Sequence, residues 1–235
     1  LYGVFVLPES LPKERRTATV DWAHANPVGS MVLLQRYPQV FGLAAGVLIA
    51  NRAHYVYPSV FVLFAEYQYR WNEQQVAWVL AAVGVCSVIV QAGLVGRVVP
   101  KFGERRTLLF GLACGVVGFC IYGMADLGWM FLIGLPISAL WGLAGPATQA
   151  LITQQVGADV QGPVQRALMS LVSLAGIVGP MMFAGTFALF IGTAEPAPLP
   201  RAPWLLAALL LALGWPVGGR FPRPPSAPAH RCEPG

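Results

Sequence analysis

Arg52 is the only charge set deep inside an apolar run of this sequence, and Asn51, His54, Tyr55 and Tyr57 surround it, with Pro58 just beyond. An amide, a guanidinium and an imidazole within four residues can hydrogen-bond a solute, hold an anion and carry a proton. Of these, only His54 titrates near neutral pH. A mid-membrane Arg costs about 2.5–3.5 kcal/mol on insertion scales, so Arg52 must face protein or water rather than hydrocarbon. None of the ten Asp and Glu residues lies within an apolar run to neutralise it. Two readings follow: the group lines a solvated cavity, or it is a satisfied polar cluster between helices, with Arg52 snorkelling toward one face. Pro58 removes a helical hydrogen bond and predicts a kink beside it.

Polar residues in two further runs could meet this group. Ser87 and Gln91 stand one turn apart and share a helix face, and a buried Gln must find partners or water. The stretch from Trp141 to Ala150 carries Gly142, Gly145, Pro146 and Gln149. Such breaks at membrane depth are tolerated where backbone lines a cavity or packs on neighbouring helices. Asn51, Arg52, His54, Gln91, Trp141 and Gln149 are therefore the candidate substrate-cavity residues. Hydrolytic chemistry lacks its parts, because no run pairs a nucleophile with a base and no two carboxylates adjoin. Neither a metal site nor a cofactor is expected. Cys86, Cys114 and Cys120 fall in apolar runs with no paired spacing, and Cys232 lies near the end.

The elements that position these residues follow from composition. Of 235 residues 56% are hydrophobic and 11% charged, with a mean hydropathy of +0.62, which is membrane protein and not soluble domain. The net charge of +5 does not indicate nucleic-acid binding, because the cations sit in loops between apolar runs. Those runs cover residues 40–65, 76–99, 107–125, 129–153, 167–192 and 204–219, lengths suited to six transmembrane helices. Gly111, Gly115 and Gly118 in the third, and Ser170, Ser173, Gly176 and Gly179 in the fifth, predict close helix contacts. Residues 66–73 read as an aromatic interfacial loop with Tyr67, Tyr69 and Trp71. Residues 154–164 read as a loop of the opposite face. Twelve of the fifteen Lys and Arg fall in residues 9–37, 96–106, 154–166 and 220–235, while the other face holds Arg70 and Arg201. That asymmetry makes the first set cytoplasmic.

The joint from Gly96 to Arg106 reads as a short turn between the second and third spans. With its small and apolar residues, Lys101, Phe102, Gly103 and the pair Arg105-Arg106, it resembles the cytoplasmic loop repeated in both halves of major facilitator superfamily transporters. Pro100 stands where that loop usually has Asp. Gly145-Pro-Ala-Thr-Gln-Ala150 with Gln161-Gly-Pro-Val-Gln165, Ala65 to Asn72 and Pro8 to Pro12 are similar to segments of the tetracycline-efflux branch. The resemblance covers residues 1–192.

The resemblance implies an all-α membrane protein whose six transmembrane helices form one half, the C-terminal one, of a twelve-helix bundle. Residues 1–8 would be the end of a preceding transmembrane helix, and residues 9–37 a cytoplasmic central loop, with a short interfacial helix near 26–36. Residues 38–221 would be the transmembrane half and 222–235 a disordered cytoplasmic tail. The start inside an apolar run fits a piece of a longer chain. The implied activity is alternating-access export of a small molecule or drug from a bacterium, coupled to protons, in the inner membrane with both ends cytoplasmic. Implied partners are the lipid bilayer, the substrate, protons and a missing N-terminal six-helix half. Gly96, Lys101, Gly103, Arg105 and Arg106 would form the gating loop. Gln91 matches a cavity-facing Gln of the branch. Ser87 and Gly115 replace a His and an Asp of the tetracycline exporters, which points away from tetracycline itself. The alternatives are a truncated remnant that carries nothing and a six-span oligomeric channel lined by Asn51, Arg52 and His54.

Overall fold

A computed structural model describes residues 38–155, 161–192 and 199–219, and every described element is helical. The expectations for residues 1–37, 156–160, 193–198 and 220–235 lie outside the described residues. Six helical rods follow one another. The first comprises α1 (Pro38–His54) and α2 (Val56–Tyr69). The second comprises α3 (Glu73–Val88), a π-helical turn (Ile89–Leu94) and α4 (Val95–Phe102). The third is α5 (Glu104–Met124). The fourth is α6 (Gly128–Ala139), a 3-10 turn (Leu140–Leu143) and α7 (Ala144–Gln155). The fifth and sixth are α8 (Gln161–Gly192) and α9 (Ala202–Gly219). The four rods from the second to the fifth are long and apolar enough to cross a membrane.

Proline positions explain two of the irregularities. A proline lacks the N–H that would bond the carbonyl four residues earlier, and its ring crowds that carbonyl. For Pro58 that residue is His54, where α1 ends; Tyr55 N–H turns back to Arg52 O at 3.1 Å and the Ser59 hydroxyl caps Tyr55 O at 2.5 Å. For Pro146 it is Gly142, inside the 3-10 turn.

Two joints are tighter than the sequence suggests. The helix runs through residues 96–102 despite Pro100, and the expected turn shrinks to Gly103, whose φ of 80° favours glycine. Thr107 N–H and its hydroxyl both donate to Gly103 O, at 3.1 and 2.8 Å, starting α5 at once. Likewise α2 continues to Tyr69, leaving only residues 70–72 as the connection. Arg70 adopts the left-handed conformation, and Asn72 with Gln75 forms a reciprocal capping box, both bonds 2.9 Å. Gln154, Gln155 and residues 161–164, read as loop, are helical.

The rods pack around α5, which lies against α9, α6 and α7, while α1 lies against α9 and α8. The glycine stripe of α5 brings it close to the fourth rod. A Cβ added at Gly111 would stand 3.0 Å from the Ala144 backbone nitrogen, at Gly115 3.0 Å from Trp141, and at Gly118 2.7 Å from Ser138. On α8, Gly176 and Gly179 leave room for the Tyr55 ring at the break between α1 and α2.

The described parts of the two loop sets separated by the charge count lie at opposite ends. At one end the Tyr69 hydroxyl donates to Ala125 O at 3.0 Å, Trp71 lies on Gly128 and Arg201 pairs with Asp126. At the other, Gln154 donates to Glu104 at 3.0 Å.

Candidate functional site

The helix irregularities meet at one cavity of about 1000 Å³. From the break between α1 and α2 come Asn51, His54, Tyr57 and Pro58. Ser87 comes from α3 and Gln91 from the π turn, whose extra residue per turn re-aims side chains and is frequent at functional sites. Trp141 and Gly142 come from the 3-10 turn, with Thr148 and Gln149 from α7 and Gln165 from α8. The rest of the wall is mainly apolar, with Phe61, Leu112, Leu168 and Val172 among its residues. Such a wall suits an amphipathic solute, with apolar surface for its body and a few amides and hydroxyls for orientation.

Five of the six candidate cavity residues, Asn51, His54, Gln91, Trp141 and Gln149, are thus brought together on one wall. The sixth, Arg52, is not among the lining residues; it is half-buried, and its Nε is buried without a hydrogen-bond partner. The His54 and Trp141 rings approach to 5.5 Å between centroids, tilted by 55°. Gln91 is exposed to the cavity on a rod that contributes little to the core.

Beyond Tyr57 the cavity gives way to packed aromatic rings. Tyr57 meets Trp204 at 5.1 Å and Tyr122 at 5.8 Å, and Tyr122 stacks on Phe131 at 4.2 Å. Tyr69, Trp71, Phe64 and Phe61 carry the cluster to the end of the bundle. The Tyr122 hydroxyl donates to Ser138 at 2.5 Å, and Ser138 in turn donates to Leu135 O at 3.0 Å, so this buried pair is satisfied. Toward the opposite end, Gln149, Ile152 and Gln165 also border a smaller pocket of about 280 Å³ with Thr153, Gln161 and Gly162. The cavity therefore runs toward the end where α7 stops and α8 starts.

The candidate gating residues lie at that same end, outside the cavity wall. Gly96 is in α4 with open space beside it, Lys101 sits 5.6 Å from the Phe102 ring centroid, Gly103 is the joint and Arg106 is exposed. Arg105 is half-buried. Glu104, between them, accepts from Gln154, tying the joint to the end of α7.

Gln165, Thr148 and Ser138 line the cavity without having been singled out for it from sequence. A signal for Gln165 exists: with Met169 and Val172 it forms an i, i+4, i+7 stripe, all three facing the cavity. Starting the fifth run at residue 167 leaves the first member of that stripe outside it. Among the described residues there is no cluster of His, Cys, Asp and Glu able to hold a metal ion.

Comparison with known proteins agrees with this architecture. The profile of the Major Facilitator Superfamily matches the chain twice, over residues 1–180 and 41–231. The chain is 30% identical to the class C tetracycline resistance protein of Escherichia coli over 80% of its own length and 47% of that protein's. It is 33% identical to the class G protein of Vibrio anguillarum over 68% of itself and 39% of that protein. Similarity extends to the human Hippocampus abundant transcript 1 protein, 26% identical over 78% of the chain and 38% of the relative. The chain spans less than half the length of these relatives.

Proposed function

The chain belongs to the Major Facilitator Superfamily, and on that premise we propose that it is the C-terminal six-helix half of a proton-coupled exporter of the bacterial inner membrane. The observation that carries this reading is the convergence of a helix break, a π turn and a 3-10 turn on one partly polar cavity. Transporters of this architecture hold substrate near the membrane midplane between two repeats, at helices whose regularity is interrupted. A single six-helix repeat supplies one wall of such a site, and an N-terminal six-helix half supplies the other.

Within this reading Asn51, Gln91, Gln149 and Trp141 contact the substrate, a small molecule with apolar surface and hydrogen-bonding groups. The excess of Lys and Arg at the end carrying Gly103 makes that end cytoplasmic. Gly96, Lys101, Gly103, Arg105 and Arg106 then form a cytoplasmic gating joint. The aromatic cluster around Tyr122 and Trp204 closes the outer end, so the cavity wall is in its inward-open arrangement. The names of the relatives point to antibiotic efflux, while Ser87 and Gly115 favour a cargo other than tetracycline.

Everted vesicles from bacteria producing this chain together with an N-terminal six-helix half of the same branch test the proposal. Substrate accumulation driven by an imposed pH gradient, absent when either half is omitted, is expected across a panel of amphipathic antibiotics. Gradient-driven accumulation by the chain alone would remove the half-transporter reading. Gradient-independent flux would support the oligomeric channel.

A further inference from the structure

We propose that His54 is the proton-binding group of this cavity wall and that Trp141 holds the imidazolium it becomes; this rests on the proton-coupled reading above. Among the described residues the cavity wall contains no carboxylate and no Lys or Arg, so His54 is the one side chain there that can change charge between about pH 5 and 8. A charge in a largely apolar wall needs a partner. Elsewhere that partner is an acid, but here the neighbouring elements offer none.

The groups on each packed element can be named. On α1 the other charge is Arg52, which is not among the lining residues. After it, Tyr55 turns toward Gly176 and Gly179 of α8. On α2, Tyr57 lines the cavity, Tyr67 and Tyr69 lie beyond, and the single acid, Glu66, is twelve residues away, about 18 Å along a helix. The one charge on α8 is Arg166, exposed and ten residues before Gly176. Neither α7 nor α9 carries an ionisable side chain.

What does face His54 is the Trp141 ring, with centroids 5.5 Å apart. That is within the roughly 6 Å over which a cation is attracted to an aromatic face, with Trp the best of the aromatic acceptors. The indole keeps its own place by a second contact, Phe119 at 5.5 Å, and by the close approach of Gly115. His54 sits on the last residue of α1, at the break set by Pro58, and Trp141 sits in the 3-10 turn. The proton's arrival therefore changes the attraction between two irregular helix segments on one cavity wall. The chemistry balances simply: an N–H bond forms with a proton from water at one membrane face and breaks to return it to water at the other.

An imidazolium also alters what the wall accepts. Charged, it repels a cationic solute and orders water around Asn51 and Gln149. Neutral, it restores a surface on which an uncharged or cationic amphiphile can rest. Proton and substrate then exclude each other, as exchange requires.

The test is a pH titration of tryptophan emission on the full chain in detergent micelles, because an imidazolium in contact with indole quenches it and neutral imidazole does so far less. The difference between the wild-type and Trp141→Phe titrations isolates Trp141. That difference should fall on acidification, and the fall should vanish in His54→Gln. A difference signal flat with pH, or one unchanged in His54→Gln, overturns the proposal; the first needs no substitution at His54. A transport arm uses ethidium, a cationic amphiphile, as the probe in the two-half vesicles. His54→Gln should lose the gradient-driven component of ethidium uptake. If His54→Gln keeps that component, the proton binds elsewhere and the proposal is wrong. If the wild type moves no ethidium under any gradient, the exporter reading loses support, and the titration alone decides the role of His54.

Discussion

The second and third rods are joined by one residue, Gly103, and are similarly apolar, yet they meet opposite fates. Half of the apolar window of α5 is buried in the protein, against 11% for Glu73–Phe102. Both contain three or more glycines, so glycine content does not separate them. Spacing does. Gly111, Gly115 and Gly118 fall on one stripe of α5 and receive Ala144, Trp141 and Ser138 of the fourth rod. Gly84, Gly93 and Gly96 do not form such a stripe, and a Cβ at any of them would meet nothing within 4 Å. The exposed rod instead turns Trp78, Val85, Val88 and Ile89 outward, where lipid tails can replace protein at little cost. Its inner side gives Ser87 and Gln91 to the cavity. One helix is scaffold, and its neighbour is wall.

The sharpest way to break that contrast is Gly118→Val on α5. The added Cβ would stand 2.7–3.0 Å from Ser138 Cβ, Cα and N, and the backbone there cannot turn aside like the end of a flexible side chain. The rods must separate, losing about 1–3 kcal/mol, the usual scale of overpacking. A lower thermal unfolding midpoint of the purified chain in detergent is the expected reading; an unchanged midpoint would mean the stripe is not the packing surface. Tyr122→Phe follows with a smaller loss. It removes the 2.5 Å bond to Ser138 but leaves that hydroxyl its own acceptor at Leu135 O, so about 0.5–1.5 kcal/mol is at stake, toward the lower end. Replacing Ser138 by Ala as well should cost little more than either change alone, a non-additivity that a double-mutant cycle reads directly.

Chemical accessibility contrasts the same two rods without disturbing their packing. In a chain whose native cysteines are replaced by Ser, Gln91→Cys should react with a water-soluble maleimide roughly tenfold or more faster than Leu112→Cys, since thiol reactivity follows exposure. Leu112 also borders the cavity but is 5% exposed, so the comparison separates reach of the reagent from mere adjacency. Equal rates would place Gln91 between helices.

The helical rods were legible because a run of apolar residues long enough for a membrane has few alternatives. The glycine stripes of α5 and α8 were legible for the same reason that they work, since only an absent side chain permits such contact. The break at His54 follows from Pro58 by the four-residue offset. Arg52 shows the limit of that reasoning. The polar group 51–57 has one residue type after another suited to a cavity, yet helical rotation of 100° per residue decides which of them face it, and sequence spacing alone left Arg52 beside Asn51. Asn51, His54 and Tyr57 line the wall, and Arg52 does not. The π turn was illegible because no proline or glycine pair marks its start, and only Gln91 inside it hinted at function. Polarity makes the joints at both ends too long: α4 runs on to Phe102 before Gly103, and the Asn72 capping box starts α3 already at Glu73.

The smallest expected effect tests the comparison from its quiet side. Gly84 lies in the regular part of α3, exposed, with helical neighbours on either side and no atom within 4 Å of an added Cβ. Alanine there meets no steric penalty, and it restricts the unfolded chain more than glycine does, an advantage of up to about 1 kcal/mol in water-exposed helices. In a detergent or lipid surround part of that advantage disappears, because the helix is already favoured by the need to satisfy its own backbone. Gly84→Ala should therefore shift the unfolding midpoint slightly upward or not at all. Gly118→Ala, the same chemical change on the adjoining rod, should shift it clearly downward. If both substitutions are harmless, α5 and α3 do not differ in packing. If both are damaging, added bulk on the outward face of α3 is not free, and the contrast between the two rods fails.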